Sequence, residues 1–113
     1  MKINLSVIIL MVVVAITPNR VMGGNTLTAQ YVLQVCTNPD MALISFCDGF
    51  FQAVHDQQAT AGRVCAPEGT ARTSLVETYT NMAAVLIARD PAVGEKPAVD
   101  IAGEILISVF PCN

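Results

Sequence analysis

The chain has 113 residues, of which 53% are hydrophobic and only 13% are charged, and its formal net charge is −3. A chain of this length forms one small domain. Its six basic and nine acidic side chains include no basic cluster, which excludes a charge-driven nucleic-acid-binding protein and a protein held on an anionic membrane surface.

The first 23 residues have the features of a secretory signal peptide. One early cation, Lys2, precedes an uncharged apolar run at 5–16, and small residues at Gly23 and Gly24 suit cleavage. The run is shorter than the roughly 20 apolar residues that span a bilayer, although an uncleaved anchor is the alternative. We therefore expect residues 24–113 to form an exported domain without a stable membrane anchor.

Four cysteines fall in the exported part, at Cys36, Cys47, Cys65 and Cys112. An even number of cysteines in a short exported chain predicts two disulfide bonds. The competing use is a zinc site, but no pair has C-x₂₋₄-C spacing and the only histidine, His55, is far from any cysteine in sequence. We expect no metal and no cofactor.

After the signal, apolar residues recur at helical spacing in four segments separated by turn residues. These segments are 26–36, 39–58, 70–90 and 97–109. No useful length of chain alternates with period two. The sequence therefore predicts an all-α domain, a small disulfide-stapled bundle of about four antiparallel helices.

The predicted helix starts depend on capping residues. Asn38 suits the cap of the second helix, with Pro39 at its first position. Thr70 suits the cap of the third, and an S-x-x-E element one turn later, Ser74 to Glu77, is the alternative. Residues 90–96 are expected to form a short polar loop before the fourth helix.

The predicted bundle also determines the disulfide pairing. In an up-and-down order, Cys36 and Cys47 lie near one end of the bundle, and Cys65 and Cys112 lie at the other end. Of the three connectivities that four cysteines allow, the pairing Cys36–Cys47 and Cys65–Cys112 is the one in which no bond has to cross the bundle. We therefore predict that the bond to Cys112 fixes the C-terminal end of the last helix.

Residues with catalytic potential are scarce. His55 has Asp56 and Asp48 near it in sequence, but no nucleophile motif accompanies it, so we interpret it as part of a solvated helix end. Gly49 is unusual because glycine destabilises a helix interior. We expect another helix to pack closely there, with Gly103 as its counterpart; a partner-binding surface is the alternative.

The exported chain, from about residue 27 to its end, resembles the Rap/Tai family, the immunity proteins against type VI secretion amidases. The resemblance lies in "LQVCTNPDMALISFCDGFFQAV", "RVCAPEGTARTSLVETYTNMAAVLIARDP" and "ILISVFPCN". The shared elements are a cysteine, a Cys-x-Gly-aromatic element, a Cys-x-Pro-x-Gly-Thr element, a leucine and an aromatic in the following helix, a proline stop, and a terminal Phe-Pro-Cys. They stand at Cys36, Cys47–Phe50, Cys65–Thr70, Leu75, Tyr79, Pro91 and Phe110–Cys112.

This resemblance implies a periplasmic protein of a Gram-negative bacterium that binds and occludes the active site of an incoming peptidoglycan amidase. It also implies a compact helical bundle that forms homodimers in many members.

Two other classes of protein are alternatives to an immunity protein. One is a small periplasmic chaperone of the HdeA type, although that type usually has one disulfide; the other is an enzyme, for which catalytic residues are few.

The residues that would contact a toxin are expected on a loop, since loops on a rigid scaffold carry most binding contacts. The segment before the fourth helix is polar and has no cysteine restraining it. Its candidate contact residues are Arg89, Asp90, Gly94, Glu95 and Lys96. The acidic surface of the second helix, with Asp48 and Asp56, is the next candidate.

Overall fold

The computed structural model describes residues 25–113. Over this range the chain forms four α-helices and one 3-10 helix: α1 (Ala29–Cys36), α2 (Met41–Thr60), α3 (Arg72–Arg89), the 3-10 helix (Pro91–Glu95) and α4 (Ala98–Val109). This range contains isolated β-bridges but no β-strand. The predicted all-α bundle is confirmed, while the predicted signal peptide, residues 1–23, lies outside the described residues.

The start of α2 differs from the prediction. The side chain of Asp40 accepts hydrogen bonds from the backbone N–H groups of Ala42 and Leu43, at 2.9 and 3.3 Å, and is therefore the cap. Asn38 accepts a hydrogen bond from the backbone N–H of Asp40 at 3.0 Å and forms the turn before the helix. The carboxylate is the better cap because its charge also favours the helix N-terminus.

The start of α3 also differs. Neither Thr70 nor Ser74 caps this helix; Ala71 occupies the cap position without a side-chain hydrogen bond. Gly69, with a φ of 84°, allows a tight turn in which the Thr70 hydroxyl and backbone N–H both donate to the Pro67 carbonyl, at 2.6 and 3.1 Å. The Thr70 side chain is thus engaged in the preceding turn.

The core is centred on two aromatic side chains. Phe51 of α2 and Tyr79 of α3 are fully buried, and their ring centroids are 4.7 Å apart. The Tyr79 hydroxyl donates to the backbone carbonyl of Ala29 at 2.7 Å, and burial raises the pKa of Tyr79 to about 12. Tyr79 thereby joins α1 and α3 by one buried hydrogen bond.

Both predicted disulfides are confirmed. Cys36 is bonded to Cys47, 11 residues along, and Cys65 is bonded to Cys112, 47 residues along. An isolated antiparallel bridge between Val64 and Pro111 lies beside the second bond. The last residues are therefore tied to the connection between α2 and α3, as predicted for Cys112.

A second pairing joins the beginning of the described chain to the start of α4. Thr28 and Pro97 form an isolated antiparallel bridge. The backbone N–H of Ala29 donates to the carbonyl of Lys96, and the backbone N–H of Ala98 donates to the carbonyl of Leu27, both at 2.8 Å.

Among residues 25–113, no helix combines the length and apolar character that crossing a bilayer requires.

Candidate partner-binding surfaces

Residues 90–96, expected as a polar loop, form an ordered surface segment instead, and Arg89 before them is the last residue of α3. Pro91–Glu95 is a 3-10 helix, and the Asp90 side chain accepts a hydrogen bond from the Ala92 N–H at 3.2 Å at its start. The Arg89, Glu95 and Lys96 side chains are exposed. Within the described range, none of the charged side chains of this segment forms an ion pair.

Gly94 holds this segment against the rest of the fold. It is buried, and a Cβ atom at this position would lie 3.2 Å from the Cβ of Gln30 and 3.4 Å from the Cγ2 of Ile87. A side chain at this position would therefore crowd Gln30 and Ile87, and glycine avoids this crowding where the 3-10 helix lies close to α1 and α3. Gly94 positions its charged neighbours and presents no surface of its own.

Gly94→Ala is expected to lower the free energy of unfolding by about 1–3 kcal/mol, because the added methyl group overpacks the contact with Gln30. The matched control is Gly49→Ala, where nothing lies within 4 Å of an added Cβ. That variant is expected to be more stable than the wild type by up to about 1 kcal/mol. Urea denaturation of the three proteins measures both changes. An unchanged Gly94→Ala midpoint would mean that the segment moves off α1 without cost.

Gly49 does not mark a close helix contact. It is exposed on α2, on the face away from the buried Cys47, Phe51 and Val54. Gly103 is buried in α4, but the group nearest to it is the Gln58 side chain, which would lie 3.0 Å from a Cβ atom at this position. The expected pairing of the two glycines is therefore wrong, and Gly49 belongs to the surface.

His55 lies at the edge of a cavity of about 200 Å³ between α2 and the turn before α3. Its Nδ1 is 3.0 Å from Oδ1 of Asp56, and the Gln52 amide donates to the same oxygen at 2.8 Å. These hydrogen bonds, with His55 contributing most, hold the pKa of Asp56 below its ordinary value.

The arrangement around His55 orients the ring but does not supply a nucleophile. All four cysteines are in disulfide bonds, and the hydrogen bonds of residues 25–113 give the ring no hydroxyl partner. The same part of the chain contains no group of three or more His, Cys, Asp or Glu side chains arranged to hold a metal ion.

A second cavity, of about 150 Å³, lies between α2 and α3 and is called the α2–α3 cleft below. Ile44, Val76 and the Cys36–Cys47 disulfide contribute its apolar wall, and Asp48 and Glu77 contribute two carboxylates. Sequence reasoning identified Asp48 as part of an acidic surface but missed its apolar neighbours. The sequence did contain a signal for these neighbours, because Ile44 is one turn before Asp48 and therefore lies on the same face of the helix.

A third depression, of about 340 Å³, lies between the end of α2 and α4. Arg63, Asp100 and Glu104 line it together with Gln58, whose Oε1 is buried without a hydrogen-bond partner among the described residues. Its carboxylates belong to α4, so they are separate from those of the α2–α3 cleft.

The family model of the Rap1a immunity proteins matches residues 28–112. The matched range begins at Thr28, the cap of α1, and ends at Cys112, so it contains all four helices and both disulfides. No curated protein and no solved structure shows a significant match to the chain.

Proposed function

The chain belongs to the Rap1a family of immunity proteins, and we propose that it binds and inhibits a peptidoglycan amidase that type VI secretion delivers into the periplasm of a Gram-negative bacterium. The observation that carries this proposal is the family match over the whole described fold. In this role the protein is an inhibitor of an enzyme and has no catalytic step of its own.

The periplasmic location is supported by two features of the chain. Disulfide bonds persist in oxidising compartments such as the bacterial periplasm, and this small domain has two of them. The apolar run at 5–16, after Lys2, is typical of a signal peptide that directs export.

We place the inhibitory contact on residues 89–96. An inhibitor has to present groups that reach into an enzyme cleft, and this segment offers Arg89, Glu95 and Lys96 as exposed charged side chains on an ordered scaffold. Because the Asp90 cap and the buried Gly94 fix the backbone, less conformational freedom is lost when the segment binds.

The test first searches the reading frames beside the gene for one that encodes an exported amidase, and then uses this amidase with the mature protein. A variant with Arg89→Gln, Glu95→Gln and Lys96→Gln removes the exposed charges but keeps Asp90 and Gly94. We expect its affinity, measured by titration calorimetry, to fall by about tenfold or more. The matched control is Arg63→Gln, Glu68→Gln and Arg72→Gln, which removes the same charges from exposed positions elsewhere and should change affinity by no more than about twofold.

The outcomes separate the function from the contact. If the wild-type protein neither binds the amidase nor protects cells that express it in the periplasm, the proposed function is wrong. If the wild type binds and the 89–96 variant binds equally well, the function stands and the contact lies elsewhere. Sedimentation of the free protein and of the complex reports whether the homodimer expected from the family resemblance forms.

A further inference from the structure

We propose that the α2–α3 cleft receives a lysine or arginine side chain of the protein partner. The hydrocarbon stem of this side chain would lie against Ile44 and Val76, and its cation between Asp48 and Glu77. The inference rests on the proposed function only in identifying the partner as an amidase, and it assigns a second contact apart from residues 89–96.

The apolar part of the cleft fits an aliphatic stem. Its volume of about 150 Å³ is comparable to that of a cavity that holds a molecule as large as benzene. Ile44 is 37% exposed although it is a large apolar side chain, and the disulfide beside it adds a rigid apolar surface. Long basic side chains commonly lay their methylene groups along such surfaces while the charge stays at the polar edge.

The charge of the cleft selects a cation. Asp48 and Glu77 line it from different helices, and in the part of the chain that the structure describes neither carboxylate forms a hydrogen bond or an ion pair. None of the residues lining the cleft is basic. A cation between the two carboxylates would be attracted to both of them, whereas an anionic ligand would be repelled.

One further apolar side chain lies beside Ile44 on α2. Met41, one turn before Ile44, is 74% exposed. Because side chains three residues apart are neighbours on a helix, the exposed apolar surface of α2 continues from Ile44 to Met41.

The first experiment tests the cleft without the amidase. Methyl resonances of Ile44 and Val76 are followed by NMR while n-butylammonium, which has an alkyl stem and a cation, is titrated into the mature protein. We expect saturable shifts in the wild type, none with n-butanol, and none with n-butylammonium in the double variant Asp48→Asn, Glu77→Gln. Absence of shifts in the wild type, or equal shifts in the double variant, would overturn the proposal.

The second experiment measures affinity for the amidase. The double variant Asp48→Asn, Glu77→Gln is expected to bind about tenfold or more weakly. Its matched control is Asp100→Asn, Glu104→Gln, which makes the same change in net charge on α4 and should alter affinity by no more than about twofold. Equal losses in both variants would mean that only the overall charge matters, and this would overturn the specific assignment.

These two readouts also separate the inference from the proposed function. If the wild type does not bind the amidase, the function fails, and the n-butylammonium titration still decides whether the cleft takes an alkyl cation. Thermal unfolding of both double variants should stay within about 5 °C of the wild type, because all four carboxylates lie outside the buried core and only Asp100 lies in the first turn of a helix, where its charge is stabilising.

Discussion

Replacing Cys65 and Cys112 together with alanine is expected to lower the free energy of unfolding by about 4 kcal/mol. The bond closes a loop between residues 47 apart, and closing a loop of this length in the unfolded chain removes roughly that much conformational entropy on the chain-entropy account. A domain of this size has a net stability of only about 5–15 kcal/mol. Urea denaturation under oxidising conditions measures the change directly.

The matched control is the pair Cys36→Ala and Cys47→Ala. These residues are 11 apart, so the entropic part of the loss is expected to be about 3 kcal/mol. Because the Cys47 side chain is also buried, its truncation adds a packing loss that Cys112, which is only partly buried, does not incur to the same extent. A larger loss at Cys65–Cys112 than at Cys36–Cys47 would support the entropic account, and the reverse order would show that packing dominates.

Phe51→Ala is expected to cost about 3–5 kcal/mol of unfolding free energy, because it removes a fully buried aromatic ring and leaves a cavity. Phe51 is 0% exposed and contacts both Tyr79 and Phe50, at centroid distances of 4.7 and 5.1 Å. The loss of the ring removes support from the side chain that joins α1 to α3. Chemical denaturation gives the change, and near-ultraviolet circular dichroism reports the environment of Tyr79.

Phe46→Ala is the control for this substitution, since it removes the same group from the same helix. Phe46 is 39% exposed and has one aromatic neighbour, Phe50, at 5.8 Å. We expect a loss of no more than about 1–2 kcal/mol, in keeping with its partial burial. Equal losses at the two positions would contradict the assignment of Phe51 to the centre of the core.

The helices were predictable because they depend on local patterns. Leu75 and Tyr79, four residues apart, lie on one face of a helix wherever that helix packs, and both are buried. The cysteine pairing followed from the order of helices along the chain. The caps were less predictable, since Asn38 and Asp40 are both good capping residues and only the backbone geometry distinguishes them.

The candidate binding surfaces were only partly predictable. The charges of residues 89–96 could be recognised in the sequence, but their 3-10 helix is too short to show a period, and its packing depends on Gln30, far away along the chain. The α2–α3 cleft joins residues near 44–48 to residues near 73–77, which only the tertiary fold brings together. Gly49 illustrates the same limit, because a glycine under close contact and an exposed glycine look alike in sequence.

The Cys65–Cys112 bond closes residues 65–112 into a covalent ring that contains α3, the 3-10 helix and α4, and the Cys36–Cys47 bond closes a smaller ring before it. A force that pulls on the two ends of the oxidised protein therefore cannot extend the residues between Cys65 and Cys112, which correspond to about 160 Å of stretched chain. Under such a force only the residues outside the two rings would lengthen. Reduction of the Cys65–Cys112 bond alone would release the length of the larger ring, while the smaller ring would stay closed.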